Sequence, residues 1–241
     1  IRKKLALVSK YLEIFIVFRS VNYRNYSHSS IRYTMYSLVK EIRDKNVNEL
    51  AQILNQKAAQ IDENLNGINN LGMHGQNKRF IQFLLARITA HIEERSKTQS
   101  KFADYISREI DKPFQVEHIW SDKFEDHKEE FEQRDEFEEY RNSIGALILL
   151  PEGFNQSYGA LPYEEKLPHY FGQNLLAKTL SLQCYERNPN FLKYKEESGL
   201  PFKSHEHFNK KDIQDRQILY QKILGEIYNF KVFDRIVDSE G

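Results

Sequence analysis

The chain's 241 residues suit one large domain or two small ones, and 40% of them are hydrophobic, including 16 Phe and 14 Tyr. This content of large apolar side chains can fill a core and excludes an intrinsically disordered chain. Lys plus Arg equal Asp plus Glu at 35 each, so the net charge of zero gives no global sign of a nucleic-acid partner, although a local basic patch is enough to bind one.

The cysteine content and the first residues indicate the cellular compartment of the protein and whether the chain is a fragment. Cys184 is the single cysteine, which excludes a disulfide framework and multi-cysteine zinc ribbons and fits a reducing cytoplasm; we expect a semi-buried structural thiol. The chain begins "IRKKLALVSK", without methionine or a signal-peptide layout, so we expect a fragment of a longer protein. The apolar run "YLEIFIVF" is too short to cross a bilayer, which predicts no membrane partner and a cytoplasmic protein.

The first hundred residues have the pattern of successive helices. "LALVSKYLEIFIVFRSV" places apolar residues at helical spacing, and "SHSS" at 27–30 supplies N-caps for a second helix. "NVNELAQILNQKAAQIDENL" predicts a third helix, and "KRFIQFLLARITAHIEERS" a strongly amphipathic fourth. We therefore predict a helical linker or scaffold region over residues 1–108.

The character of the chain changes near residue 111. "DKPFQVEHIW" predicts a short strand, and "IGALILLP" a second one that ends at Pro151. Between them, "DKFEDHKEEFEQRDEFEEYRNS" is dense in charge and predicts a solvated connection that is helical in part. A turn-rich stretch follows, then a helix from Tyr163 and a closing helix in "KDIQDRQILYQKILGEIYNF". The pattern predicts a mainly α, α+β fold with a second domain over residues 109–241.

The order of polar residues in this second region has a known counterpart. Glu117 and His118 lie on the first strand, and Asn155 lies in the turn that follows the second strand. This order resembles the ββα-metal site of HNH, or His-Me finger, nucleases. The segments "VEHIW", "YRNSIGALILLPEGFNQSYG" and "YEEKLPHY" are similar, more closely, to the C-terminal nuclease domain of GmrSD-type restriction endonucleases, which attack modified phage DNA.

The resemblance assigns roles by position. It implies that Glu117 and Asn155 are metal ligands, that His118 is the general base, and that Lys166 lies near the phosphate as a second catalytic residue. Arg141 and His169 are further candidates for contact with the substrate phosphate. A neutral histidine can take a proton from water, and oxygen ligands favour Mg²⁺ or Mn²⁺. Two protein ligands predict one catalytic metal ion.

One position departs from the family's pattern. The family commonly has Asn where this chain has Ala146, in "IGALILL", and that Asn braces the loop that carries the histidine. Its replacement puts full activity in question. Asn142 or Ser143 is a candidate substitute for it.

Each assignment has a structural alternative. Asn155 suits a turn, Lys166 a solvated helix, Arg141 an ion pair with the acidic run, and His169 a packed histidine. Three other histidines are expected to lie away from any site: His127 in the solvated connection, and His205 and His207 of "SHEHF" in a surface loop. "GMHGQNKR" lacks the ending of a phosphate-binding loop, so no nucleotide site is predicted.

Together these patterns predict a metal-dependent DNA endonuclease that nicks or cleaves DNA in restriction or anti-phage defence. The resemblance also implies an N-terminal nucleotide-handling domain outside this sequence, with the helical first half as a relay from it. Two alternatives stay open: a catalytically weak DNA-binding module of the nuclease fold, and an all-helical interaction or regulatory domain. The sequence does not determine whether the substrate is DNA or RNA, whether one or both strands are cut, or which oligomeric state the protein adopts.

Overall fold

The computed structural model describes residues 1–24, 27–61 and 64–239, apart from the side chains of residues 155 and 156. Within them the fold is mainly helical with one two-stranded antiparallel sheet, which confirms the mainly α, α+β class. The helices are α1 (Arg2–Val21), α2 (His28–Ile42), α3 (Val47–Ala59), α4 (Lys78–Arg95), α5 (Phe102–Ile106), α6 (Arg134–Asn142), α7 (Phe154–Tyr158), α8 (Tyr163–Tyr170), α9 (Leu175–Lys178), α10 (Gln183–Glu186), α11 (Pro189–Ser198), α12 (Lys210–Ile227) and α13 (Val232–Asp238). The strands are β1 (Phe114–His118) and β2 (Leu147–Pro151).

The described residues divide into two compact units, one with residues up to 68 and from 225 onward, the other with residues 69–224. In the first unit, the apolar spacing of α1 gives it one buried face, which contains Leu7, Tyr11, Ile14, Phe18 and Val21. Helix α3 begins with a reciprocal cap, because the Asn46 side chain accepts from the Glu49 amide while Glu49 accepts from the Asn46 amide. The three predicted N-terminal helices are therefore confirmed.

Helix α4 is the central element of the second unit. Its apolar residues Ile81, Leu84, Leu85, Ile88 and Ile92 are fully buried, because the helix contacts both strands as well as α5, α9 and α11. The second unit therefore includes α4 and begins at residue 69, while the domain boundary expected between residues 108 and 109 stays a prediction. The amphipathic pattern identified the helix, while its contacts place it with the strands.

The two strands pair antiparallel, with Glu117 opposite Ile148 and His118 opposite Leu147. A further bond from the Ile119 amide to the Ala146 carbonyl, at 2.9 Å, extends the ladder beyond β1. Strand β2 is buried from residue 147 to 150, which explains its unbroken apolar sequence. This pairing fixes the end of β1, where the two polar residues of the motif lie.

Helix α12 holds the chain just before β2. The Arg216 Nε donates to the Gly145 carbonyl at 3.2 Å, and the Tyr220 hydroxyl donates to the Leu147 carbonyl at 3.0 Å. A Cβ atom on Gly145 would lie 2.2 Å from the Ile213 carbonyl oxygen, so only glycine permits this approach. The predicted closing helix thus supports the second strand directly.

The charged connection between the strands is helical in part, as predicted, since it contains α6 and a short 3₁₀ turn. It is less solvated than its composition suggests. His127, expected in solvent, has a side chain that is only 14% exposed and packs against Trp120, with ring centroids 4.2 Å apart and planes tilted by 41°. Trp120 also stacks on Phe137 and donates its indole N–H to the Phe208 carbonyl at 2.7 Å. The aromatic residues of the connection form a core around Trp120, which encloses the histidine.

The "SHEHF" segment also differs from expectation at one of its two histidines. His205, predicted in a surface loop, is 5% exposed, and its Nδ1 lies 3.0 Å from Asp212 Oδ1. Burial and the nearby Arg216 guanidinium lower the pKa of His205 to about 4. His207 is exposed as predicted and lies 3.0 Å from Glu164. The alternating burial arises because the segment packs against the start of α12.

Cys184 is fully buried, and burial raises the pKa of its thiol to about 11, which agrees with a structural cysteine. Among the helices of the described residues, none combines the length and the apolar character that a membrane span requires.

Candidate functional site

The end of strand β1 presents Glu117 and His118 to different helices. Successive side chains leave a strand on opposite faces, so neighbours in sequence contact different surroundings. The Glu117 side chain contacts Lys166 of α8, whereas the His118 ring contacts Asn142 of α6. The site is therefore assembled from the strand pair and one helix on either side of it.

His118 is held by a single side chain of α6. Its Nε2 lies 2.9 Å from the Asn142 Oδ1. When Nε2 carries the proton and donates it to this oxygen, Nδ1 keeps a lone pair that can accept a proton. Burial lowers the pKa of His118 to about 4, and the Arg141 and Lys166 charges act in the same direction. The imidazole is consequently neutral at pH 7.

Glu117 and Lys166 form a buried ion pair. Each is 1% exposed, and the Lys166 Nζ lies 3.1 Å from Glu117 Oε1 and 3.1 Å from the His118 carbonyl oxygen. Burial lowers the pKa of Lys166, while the Glu117 carboxylate opposes that shift. The structure thus brings Lys166 next to Glu117 on the interior side of the strand, and its proximity to a substrate phosphate stays a prediction. Its ammonium fixes both the carboxylate and the backbone at His118.

Arg141 precedes Asn142 at the end of α6. Its Nε donates to the Ser121 carbonyl at 3.2 Å, and burial lowers the pKa of the guanidinium. The charges of Asp122 and Glu117 oppose this shift. The side chain therefore ties α6 to the residues just after β1 and adds positive charge beside His118.

Two further predicted residues follow β2. Asn155 lies in α7, and its side chain is outside the described residues, so its role as a metal ligand stays a prediction. His169 lies on α8, is exposed, and stacks on Tyr158 with ring centroids 4.0 Å apart. Among the residues that the structure describes, no group of three or more His, Cys, Asp or Glu side chains lies close enough together to hold a metal ion.

A family model for the C-terminal domain of GmrSD restriction endonucleases matches residues 15–223. The chain belongs to this family. No curated protein and no solved structure matches the chain. The GmrSD match covers the strand pair, α6 and α8, and hence every residue of the motif. Membership places the chain among the domains of restriction endonucleases, which confirms the predicted family.

The departure at Ala146 from the GmrSD pattern has a structural counterpart in this chain. Ala146 is fully buried and its carbonyl accepts from the Ile119 amide, so this position supports the strand pair through its backbone. Asn142, four residues earlier, contacts the His118 ring. The Ser143 hydroxyl, the other candidate, makes no hydrogen bond with any residue that the structure describes. The sequence offered Asn142 only as one of two substitutes, because nothing in its local pattern shows which α6 side chain faces β1.

Proposed function

We propose that this chain is a metal-dependent DNA endonuclease domain of a restriction system, with His118 as its general base. The observation that carries the proposal is the His118 ring, bonded to Asn142 and neutral at pH 7 because of its burial and the adjacent cations. A general base must be unprotonated and oriented before the reaction begins. The neutral ring bonded to Asn142 and the membership of a restriction endonuclease family support this role for His118.

In the proposed reaction, the His118 Nδ1 accepts a proton from a water molecule while Nε2 keeps its bond to Asn142. The resulting hydroxide attacks phosphorus, the bond from phosphorus to the leaving oxygen breaks with its electron pair on that oxygen, and the leaving oxygen takes a proton from solvent water. The Arg141 guanidinium, held beside His118, supplies positive charge near the substrate phosphate. Lys166 acts as a positioning residue, because its ammonium is bonded to the His118 carbonyl.

Glu117 and Asn155 are the proposed ligands of Mg²⁺ or Mn²⁺. A carboxylate and an amide oxygen suit such hard ions, which would supply counter-charge to the leaving oxygen. The Lys166 ammonium lies 3.1 Å from Glu117 Oε1 and competes with a cation for this carboxylate. A metal ion at this carboxylate would therefore lie close to a second positive charge, which weakens its binding. We expect the Lys166→Met variant to bind Mn²⁺ more tightly than the unmodified protein, as measured by calorimetric titration.

The same ion pair favours one alternative function. If the positive charge of Lys166 keeps a metal ion away from Glu117, the domain would bind DNA without cleaving it. This alternative predicts DNA binding that does not depend on Mg²⁺ and an absence of cleavage. One assay of plasmid cleavage and binding therefore distinguishes the two functions.

The test is relaxation of a supercoiled plasmid with Mg²⁺ or Mn²⁺, comparing the unmodified protein with His118→Ala and with His207→Ala as a matched control. His207 is exposed and its ring contacts only Glu164 among the described hydrogen bonds, so its removal should leave the rate unchanged. We expect nicked circles that require both the metal and His118. Nicking that persists in the His118→Ala variant would overturn the assignment of the base. A folded protein that retards the plasmid but never nicks it would favour the binding module.

A further inference from the structure

Four rings of α7 and α8 form a continuous series of contacts from the core to the surface. Tyr170 is buried and stacks on Phe154, with centroids 5.7 Å apart and planes at 24°. Phe154 contacts Tyr158 at 4.8 Å, and Tyr158 stacks on the exposed His169 at 4.0 Å and 26°. The outermost ring is thus supported from behind by an aromatic series that is anchored in the core.

This series lies next to the candidate site. His169 follows Lys166 by three residues on α8, about 4.5 Å along the helix axis. The Lys166 ammonium contacts both Glu117 and the carbonyl of the proposed base. Burial raises the pKa of Tyr170, and the Glu117 carboxylate adds to this shift, which agrees with the inner end of the ring series lying near that carboxylate. The ring series and the ion pair with Glu117 therefore share helix α8.

We propose that the His169 ring, supported by Tyr158, is a stacking platform for an unpaired nucleobase next to the phosphate that is cut. One face of the imidazole is covered by Tyr158, and the side chain is otherwise exposed, so a flat aromatic group can stack on the outer face. Stacking on protein rings stabilises bases of any sequence. This inference rests on the proposed function, since it adds a substrate subsite to the same site.

The platform defines the substrate more narrowly than DNA in general. A base inside a duplex already has both faces stacked on its neighbours, so it has no face to offer to a protein ring. Only a single-stranded, mismatched or extruded base can use the platform. The inference therefore predicts that the domain prefers DNA with an unpaired nucleotide close to the cleavage position.

The experiment measures binding without cleavage, with EDTA present, using the full chain and oligonucleotides that carry one 2-aminopurine. The probes are a single strand and the matching duplex, and the variants are His169→Ala, His169→Phe and His169→Lys, with His207→Ala as the control histidine. We expect 2-aminopurine fluorescence in the single strand to be quenched by the unmodified protein, by His169→Phe and by His207→Ala. In the Ala and Lys variants the quenching should disappear and the dissociation constant should rise about tenfold.

Several outcomes would overturn the platform. Tight binding by His169→Lys together with weak binding by His169→Phe would show a phosphate contact and not stacking. An unchanged affinity and quenching in His169→Ala, or no quenching by the folded unmodified protein, would remove the subsite altogether. The result is separate from the proposed catalysis, because His118→Ala should keep the quenching while it loses plasmid nicking. Nicking without quenching would leave the nuclease proposal standing and reject the platform alone.

Discussion

His118 Nε2 lies 2.9 Å from Asn142 Oδ1, so the last residue of α6 orients the imidazole at the end of β1. The two residues are 24 positions apart in the chain. An amide side chain can accept the ring proton without adding charge, so it fixes a tautomer and leaves the histidine neutral. Asn142, one of the two candidates to replace the family's Asn at position 146, thus contacts the histidine ring itself.

The Asn142 contact gives a prediction for the pH dependence of cleavage. Since the pKa of His118 is about 4, plasmid nicking by the unmodified protein should show no loss of rate between pH 8 and pH 6. In Asn142→Asp a carboxylate faces the ring, which raises the pKa of His118 and moves the acid limb of the profile toward neutral pH. Asn142→Ala should lower the rate about tenfold or more at every pH, because the ring loses its orientation. NMR titration of the imidazole checks the pKa directly, and identical profiles for the Asp variant and the unmodified protein would contradict the contact.

The buried pair of Glu117 and Lys166 predicts a large effect on stability. Lys166→Met removes the ammonium that is paired with the buried carboxylate, and Glu117→Gln removes the negative charge that is paired with the buried ammonium. Each variant should lose about 3–5 kcal/mol of unfolding free energy in urea denaturation. The double variant should lose clearly less than the sum of the two, because no unpaired charge remains. Additive losses would show that the two groups do not interact. The exposed pair of Lys193 and Glu197 is the control, in which Lys193→Met should change the unfolding free energy little.

Two histidines with lowered pKa values predict that the fold weakens in mild acid. His118 and His205 each have a pKa of about 4, below the ordinary 6.5, so the unfolded chain takes up their protons first. Stability is therefore complete above about pH 6.5 and falls as the pH drops toward 4, by up to about 1.4 kcal/mol per pH unit for each histidine. His205→Gln should make this decline shallower in urea midpoints measured from pH 7 to pH 4.5. His207→Gln is the control, since the raised pKa of His207 acts at higher pH and should leave the slope in this window unchanged.

Two glycines, one in close contact with α12 and one with open space around it, test the packing of this helix. A methyl group at Gly145 would lie 2.2 Å from the Ile213 carbonyl oxygen, so Gly145→Ala must displace α12 or the approach to β2. We expect a loss of about 1–3 kcal/mol in unfolding free energy together with weaker cleavage. At Gly225, also on α12, an added methyl group meets nothing within 4 Å, and Gly225→Ala should instead gain about 0.5–1 kcal/mol. Equal effects of the two substitutions in urea denaturation would contradict the close approach at Gly145.

The sequence by itself determined the elements and the family of this protein. Helical spacing predicted α1, α4 and α12, and the apolar run before Pro151 predicted β2, because these signals depend on residues within one or two turns of each other. The order of the strand with His118, the second strand and the turn with Asn155 carried the resemblance to the GmrSD domain, which the family match confirms. The order of the motif residues along the chain is part of the sequence, so it can be identified without a structure.

Only the tertiary structure decided which side chains meet. Lys166 reaches Glu117 across 49 positions and Trp120 reaches Phe208 across 88, and no local pattern records such distances. His127 and His205 were expected in solvent from their polar neighbours, yet both are largely enclosed, since burial is set by what packs on a segment from elsewhere. Secondary structure follows from short-range spacing, whereas the site depends on how α6 and α8 pack around the end of β1.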